Sequence, residues 1–276
     1  MGKPVTGMRS ILVKALSYGI LLFLILLCAY FNRATNGLFL SGNNVLNILQ
    51  QTAINTIIAV GMTFVIISGG IDLSVGSVLS LAGVVSMTVL MHGFAGTHSG
   101  PNETAWPLAI AIPIAALVGI AVGAVAGALN GFFITKMRVT PFIATLAMMS
   151  VARGLAFVFT DARPVSPLPA KFIEGVGGRS IEIPGLPPIA PLVPVALLVV
   201  IAGYIVLTRT NFGRHVYAIG GSEEAARLSG VNVACTKLGV YAIAGLLAGL
   251  SGFMLSAWVA AGDPKSGNMY EMNAIA

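Results

Sequence analysis

Charge is scarce in this sequence. Asp, Glu, Lys and Arg make up only 9% of the 276 residues, against about 25% of an average soluble domain. Apolar residues make up 57%, and the mean hydropathy is +0.93. Because so few charged side chains cannot cover the surface of a soluble protein of this size, most of the surface must face lipid. The composition excludes an ordinary soluble enzyme and predicts an all-α, polytopic helical bundle in a membrane.

Recognisable catalytic motifs are also missing. The sequence contains no nucleophile paired with a base, no metal-ligand cluster and no phosphate-binding loop, so we expect no catalytic role, no metal and no cofactor. Cys28 lies in the first apolar run, and Cys235 lies in a basic loop on the opposite predicted side, too distant for a disulfide. Basic residues are not interleaved with aromatic residues, so nucleic acid is not an expected partner.

Seven apolar runs are long enough to cross a membrane, which takes roughly 20 helical residues. The fourth could be tilted or hold a short extra helix, so we expect about seven to eight spans. The first could instead be a signal peptide, but it is longer than a typical signal core and no small-residue cleavage site follows closely. The runs lie near 11–31, 45–67, 73–93, 105–133, 141–160, 190–208 and 238–262.

The distribution of basic residues predicts a cytoplasmic N-terminus, because cytoplasmic loops carry an excess of Lys and Arg. With that orientation nine basic residues are inside and five outside. The inner ones are Lys3, Arg9, Lys14, Lys136, Arg138, Arg209, Arg214, Arg227 and Lys237; the outer ones are Arg33, Arg163, Lys171, Arg179 and Lys265.

The two long segments between spans differ. Residues 161–190 are predicted outside and hold six prolines, which exclude one regular helix and predict an irregular cap. Residues 209–237 are predicted inside. There Ser222 is a candidate N-cap, acidic residues follow it, and Gly230 is a stop signal, so a short helix is expected. From the pattern alone this helix is a surface connector or a docking element.

Glycine recurs every fourth residue in the fourth run, at 119, 123, 127 and 131. Such spacing places small residues along one helix face and predicts close packing against another helix. The seventh run repeats the pattern with Ala248, Gly252 and Ser256, beside Gly245 and Gly249. We therefore interpret these glycines as packing residues.

The segment SGGIDLSVGS, residues 68–77, predicts a break between two spans. Asp72 lies there between two apolar runs, where a carboxylate is costly unless it is partnered or hydrated. It could contact a polar solute or fix a gate; alternatively it caps a helix that starts at Leu73. Ser74 and Ser77 can satisfy backbone groups freed by the break.

Polar residues within the other runs have two interpretations. They either line a polar path or form hydrogen bonds between helices, because facing lipid would be costly. As candidates for a substrate pathway we take Asp72, Ser74, Ser77, Gln51, Asn55 and Asn130, with Gln50, Thr52 and Arg153 as further inward-facing residues.

Three stretches carry a resemblance to a known family. AVGMTFVIISGGIDLSVGS (59–77), GALNGFFITKMRVTPFIATLAMM (127–149) and TRTNFGRHVYAIGGSEEAARLSGVNV (208–233) closely resemble the permease subunits of bacterial ABC importers for ribose, xylose, arabinose and galactose, with ribose permeases nearest in look. The resemblance extends from NVLNILQQTAINT (44–56) to MYEMNAIA (269–276).

The resemblance implies a multi-pass subunit of the bacterial inner membrane that moves a ribose-like monosaccharide. Its implied partners are a cytoplasmic ABC ATPase, a periplasmic sugar-binding protein, a second permease copy and membrane lipid. The loop implied to contact the ATPase contains Arg214, Gly220, Gly221, Glu223, Glu224, Ala226, Arg227 and Gly230.

The sequence departs from the family at its end. Met272 and Asn273 replace a family Leu and Asp, and the chain then stops where family members continue with further spans. We therefore expect residues 1–276 to form a single permease domain truncated at its C-terminus. The alternatives are an ion-coupled secondary transporter that uses Asp72, and an ABC permease for nucleosides or branched-chain amino acids.

Overall fold

The computed structural model describes residues 6–93, 106–178, 180–182, 184 and 187–275, with the backbone alone for residues 6–17. Lys3 and Arg179, and the side chains of Arg9 and Lys14, lie outside the described residues, although they contribute to the predicted orientation. Regular structure in the described part is helical. Besides helices it contains two isolated β-bridges, Val165 to Gly262 and Ile181 to Ile189.

Helices in the described residues follow the predicted runs. Helices α2, α3, α4, α5, α7 and α10 are long and apolar enough to cross a membrane. Helix α1 coincides with the first run, and its described apolar part is Tyr18–Ala34. The predicted all-α polytopic bundle is confirmed. The helices are α1 Thr6–Ala34, α2 Gly42–Ile67, α3 Val75–His92, α4 Leu108–Thr135, α5 Pro141–Phe159, α6 Ala170–Phe172 (followed by a π-helical turn, Ile173–Gly177), α7 Leu192–Arg209, α8 Asn211–Gly221, α9 Glu223–Leu228, α10 Val233–Trp258 and α11 Tyr270–Ile275.

Of the two alternatives for the fourth run, the structure has the single long span, a helix that contains Pro113, with no extra helix beside it in the described residues. Two helix starts differ from the sequence prediction. Helix α3 begins at Val75 rather than Leu73. Helix α10 begins at Val233 rather than near residue 238, because the Asn232 side chain accepts a 3.0 Å hydrogen bond from Cys235 N and starts the helix early.

The chain divides into two compact units, residues 1–49 and 50–276. In the first unit the turn after α1 is held by side chains. The Asn32 side-chain oxygen accepts a 3.1 Å hydrogen bond from Leu40 N, and Asn44 Nδ2 donates one of 2.7 Å to Phe39 O. The rings of Phe31 and Phe39 stack with their centroids 5.7 Å apart.

The core of the second unit surrounds α3, whose residues are buried along nearly the whole helix. Helix α4 packs against α10 with the two backbones in contact. A Cβ on Gly131 would lie 2.7 Å from Leu238 Cα, and one on Gly127 would lie 3.0 Å from Gly245 Cα. Gly123 faces Gly245 and Gly249 in the same way. The predicted close packing of the glycine face is confirmed.

The segment 161–190 is irregular where the structure describes it. Its only regular pieces there are α6 and the π-helical turn, and Leu168 and Phe172 anchor it in the core. The rings of Phe172 and Phe253 pack edge to face, with their centroids 5.7 Å apart. The irregular fold expected from the prolines is confirmed in these residues.

Candidate functional site

The predicted break between spans is present. Helix α2 ends at Ile67 and α3 begins at Val75, and Gly69 turns the chain with a φ of +75°, a conformation that glycine adopts readily. The Ser68 hydroxyl donates a 2.9 Å hydrogen bond to Val65 O. The same carbonyl also accepts a 2.9 Å hydrogen bond from Gly70 N, so the turn after α2 closes on Val65 O through two donors.

Buried polar side chains gather at this break. We call Asp72, Ser74, Ser77, Asn130 and Tyr241 the break cluster. The Ser74 hydroxyl donates a 2.6 Å hydrogen bond to Asp72 Oδ1 and accepts one of 2.9 Å from Asn130 Nδ2. Ser77 Oγ donates to Ser74 O at 2.8 Å. Tyr241 Oη donates a long 3.4 Å bond to Ile71 O. Helices α4 and α10 are thus joined to the break by polar contacts.

The Asp72 carboxylate does part of what a capping residue does. Its Oδ1 also accepts from Ser74 N at 2.8 Å, immediately before the first residue of α3. Its Oδ2 and the Asn130 Oδ1 are buried and have no hydrogen-bond partner among the described residues. Asp72 is 1% exposed and Asn130 0% exposed, so neither lines an open path in this conformation.

The structure brings together four of the six candidate pathway residues. Gln51 is exposed and Asn55 half-buried on α2, and no hydrogen bond in the described part of the chain joins either to the break cluster. The neighbouring Gln50 is buried instead and donates a 2.9 Å hydrogen bond to Gly177 O. Tyr241, which sequence analysis missed, is an aromatic residue in an apolar helix and gave no separate signal.

Before α10 begins at Val233, the segment 209–237 holds two helices, although only one was expected. The predicted helix is α9: the Ser222 hydroxyl accepts a 3.2 Å hydrogen bond from Ala225 N, and Gly230 follows with a φ of +84°. The missed helix is α8. Phe212, Val216 and Ile219 form its apolar face, and the Thr210 hydroxyl caps it through a 3.2 Å bond from Gly213 N. Helix α8 contains three glycines, which have low helix propensity, so its apolar pattern was not recognised in the sequence.

Charged side chains tie α9 to α10. Glu223 accepts hydrogen bonds from Lys237 Nζ at 2.6 Å and from Arg227 at 3.0 Å. The hydrogen bond from Lys237 is the main reason that the pKa of Glu223 lies below its usual value. Of the other residues of this segment, Arg214 bonds the Asn211 side chain, Glu224 is exposed, and Ala226 is buried.

Helix α8 touches the break directly. Gly220 packs against the carbonyl oxygen of Ile67, the last residue of α2, and a Cβ there would lie 3.9 Å from Ser68 N. Gly221 has open space at the equivalent position. The close approach at Gly220 leaves no room for a side chain, so a displacement of α8 acts on the end of α2.

After α10 the chain returns along α3. We call residues 262–275 the return segment. Ser80 Oγ donates a 2.8 Å hydrogen bond to Pro264 O, and Gly267 lies against Gly76. Arg153 Nη1 on α5 donates to Ser266 O at 3.1 Å. Arg153 therefore faces inward, as predicted, and holds irregular backbone against the bundle.

Comparison with known proteins matches the chain to one family. Residues 44–276 match the family model described as the branched-chain amino acid transport system / permease component. The ribose import permease protein of Bacillus subtilis (strain 168) is 39% identical over 241 residues, covering 87% of this chain and 69% of that protein. The ribose import permease protein of Escherichia coli (strain K12) is 38% identical over 247 residues, covering 86% and 68%.

A third relative has a different name. The xylose transport system permease protein of Escherichia coli (strain K12) is 35% identical over 326 aligned residues, covering 98% of this chain and 79% of that protein. No solved structure matches the chain.

Proposed function

Because this chain belongs to the branched-chain amino acid transport system / permease component family, we propose that it is the membrane-spanning subunit of an ABC importer for a monosaccharide. Its family and the six long apolar helices among its described residues make it a multi-pass protein of the bacterial inner membrane. Relatives at 35–39% identity are ribose and xylose permeases, so the proposed solute is a ribose-like sugar.

The proposed mechanism is alternating access. A separate cytoplasmic ATPase binds and hydrolyses ATP, a periplasmic binding protein delivers the sugar, and two permease copies form the pathway. The observation that supports coupling is the contact of Gly220 with Ile67: the segment implied to meet the ATPase lies directly against the break. Movement of α8 and α9 then displaces the end of α2 and the break cluster, and the pathway opens to the other side.

The proposed roles follow this geometry. Asp72, Ser74, Ser77 and Asn130 control the pathway at the break. Gln51 is exposed on α2, where a second copy or the solute can reach it, and Asn55 lies one turn further along the helix with its side-chain oxygen buried. The segment from Arg214 to Gly230 meets the ATPase. Residues 1–276 act as one permease domain.

Uptake in a reconstituted system tests this proposal. Proteoliposomes would contain the chain with its cognate ATPase, and labelled ribose or xylose would be supplied with the cognate binding protein. We expect uptake that requires ATP, stops when the ATPase carries a Walker B Glu→Gln substitution, and continues after an ionophore collapses ion gradients. Uptake that follows the ion gradient and ignores the ATPase would instead support the secondary transporter. If unlabelled nucleosides or branched-chain amino acids inhibited this uptake, the solute would be one of those compounds instead of a monosaccharide.

A further inference from the structure

A cavity of about 730 Å³ lies where α4 ends, α5 begins and α9 meets α10. Arg138, Arg227 and Lys237 line it, together with one carboxylate, Glu223. Three positive charges against one negative leave an excess of two positive charges in the wall. By the predicted orientation this cavity opens at the cytoplasmic face of the membrane.

The cations of the cavity are not all satisfied by the protein. Glu223 already pairs with Arg227 and Lys237. Among the residues that the structure describes, the exposed Arg138 side chain has no hydrogen bond or ion pair. Its backbone is held with a φ of +55°, in the left-handed region that few residues other than glycine adopt. The cavity therefore offers one free guanidinium beside two cations that share a carboxylate.

Two helix N-termini add to the positive potential. Helix α5 begins at Pro141 after Thr140, whose side chain makes no capping hydrogen bond, and both residues line the cavity. Helix α10 begins at Val233, which also lines it, although the Asn232 side chain already accepts from Cys235 N there. Pro141, the first residue of α5, has no N–H, so the contribution of the two helix ends is mainly their partial positive charge, which favours an anion.

An apolar groove of about 460 Å³ adjoins this cavity. It runs between α4 and α5, with Leu129, Phe133, Ile143 and Ala147 in its walls, and Val139 lines both the groove and the cavity. Phe133, Ile143 and Ala147 are exposed on the protein surface, so the groove opens to the side of the bundle. A basic cavity at the membrane boundary thus leads into an apolar groove along the spans.

We propose that the cavity and the groove together form a binding site for one anionic phospholipid. The phosphate group lies by Arg138 and the two helix N-termini, and an acyl chain lies in the groove. Basic pockets on the cytoplasmic side of membrane proteins attract anionic headgroups, and the charge of the cavity complements that group. The site rests on the predicted orientation and shares Glu223 and Arg227 with the segment proposed to meet the ATPase, but it does not depend on the transported solute.

The headgroup arm of the test compares two neighbouring basic residues. The full chain and the variants Arg138→Gln and Lys136→Gln would be purified and titrated with phosphatidylglycerol or phosphatidylcholine under native mass spectrometry. Lys136 is exposed in the same loop but does not line the cavity. We expect Arg138→Gln to weaken phosphatidylglycerol binding about fivefold, the contribution of one basic residue near an anionic surface. Lys136→Gln should change it less than twofold.

The acyl-chain arm of the test places a larger side chain in the groove. Ala147→Phe should reduce retained phosphatidylglycerol, whereas Leu146→Phe, on the neighbouring residue outside the groove, should not. Excess inorganic phosphate should fail to displace the lipid. Equal losses for Arg138→Gln and Lys136→Gln, or no loss for Ala147→Phe, would overturn the proposal. So would displacement by phosphate alone, or an Arg138→Gln variant that keeps its lipid and loses the ATPase or the second copy.

Discussion

Asn130 Nδ2 lies 2.9 Å from Ser74 Oγ and joins the C-terminal part of α4 to the break between two spans. Ser74 in turn donates to Asp72 Oδ1, so the three side chains form a chain of hydrogen bonds that begins on α4 and ends at a buried carboxylate. Any movement of α4 relative to the break must lengthen or break one of these bonds.

Removing the Asn130 amide should destabilise the break. Asn130→Leu removes the donor to the buried Ser74 hydroxyl, while Asp72 keeps both of its hydrogen bonds from Ser74, and loss of a partner by a buried polar group costs about 1–3 kcal/mol. Thermal unfolding in detergent should show the loss. Thr88→Val is the matched control, because Thr88 bonds only Val84 O of its own helix among the described contacts. A double-mutant cycle with Ser74→Ala should give a coupling energy of at least about 0.5 kcal/mol; a value near zero would contradict the network.

A single methyl group should separate α4 from α10. In Gly127→Ala the new Cβ would meet the carbonyl of Tyr241 and lie 3.0 Å from Gly245 Cα. Overpacking of this kind costs about 1–3 kcal/mol. Gly154→Ala is the control, since nothing lies within 4 Å of its Cβ position on α5. We expect Gly127→Ala, but not Gly154→Ala, to give less folded protein and a lower unfolding temperature. Equal behaviour of the two variants would show that the glycine face is not tightly packed.

Thiol labelling tests the orientation. Ser166 is exposed in the segment predicted outside, and Cys235 is a native exposed cysteine in the segment predicted inside. In a Cys28→Ser background, a Ser166→Cys variant that also carries Cys235→Ser should react with an impermeant thiol reagent in intact cells. Cys235 alone should react only after the inner membrane is disrupted. The reverse pattern would invert the topology.

A proline in α9 should uncouple the permease from its ATPase. Ala226 N donates a 2.9 Å hydrogen bond to Ser222 O, and Ala226→Pro removes it and clashes within the helix at a cost of about 3 kcal/mol or more. We expect ATP-driven uptake and ATPase co-purification to be lost while abundance in the membrane stays nearly normal. Asp72→Asn keeps the acceptor for Ser74 and should retain the ATPase even if uptake falls. Normal transport by the proline variant would make α9 a mere connector.

Sequence periodicity was sufficient for the spans and for the glycine face. Apolar runs and four-residue glycine spacing are visible within short stretches of sequence, so α2 to α5 and the close packing of the glycine face of α4 against another helix could be expected. The cap of α9 was predictable for the same reason, because Ser222 and Ala225 are three residues apart.

Contacts that depend on how a helix is rotated could not be predicted. Gln50 and Gln51 are adjacent, yet Gln50 is buried against Gly177 and Gln51 is exposed, a difference set by the packing of α2. The position of the return segment could not be predicted either, because its hydrogen bond from Ser80 to Pro264 joins residues 184 positions apart. Neither hydropathy nor spacing carries such information.

The backbone contact between α4 and α10 has a mechanical consequence. Glycines bring these two helices together with no side chains between them, so one backbone cannot slide easily along the other. We therefore expect α4 and α10 to move together as one rigid pair. Lys237 on α10 forms an ion pair with Glu223 on α9, and Asn130 on α4 donates a hydrogen bond to Ser74 at the break. We therefore expect a displacement of α9 to reach the break through this pair of helices, and bending during the proposed transport cycle to occur at the faces of the bundle that carry larger side chains.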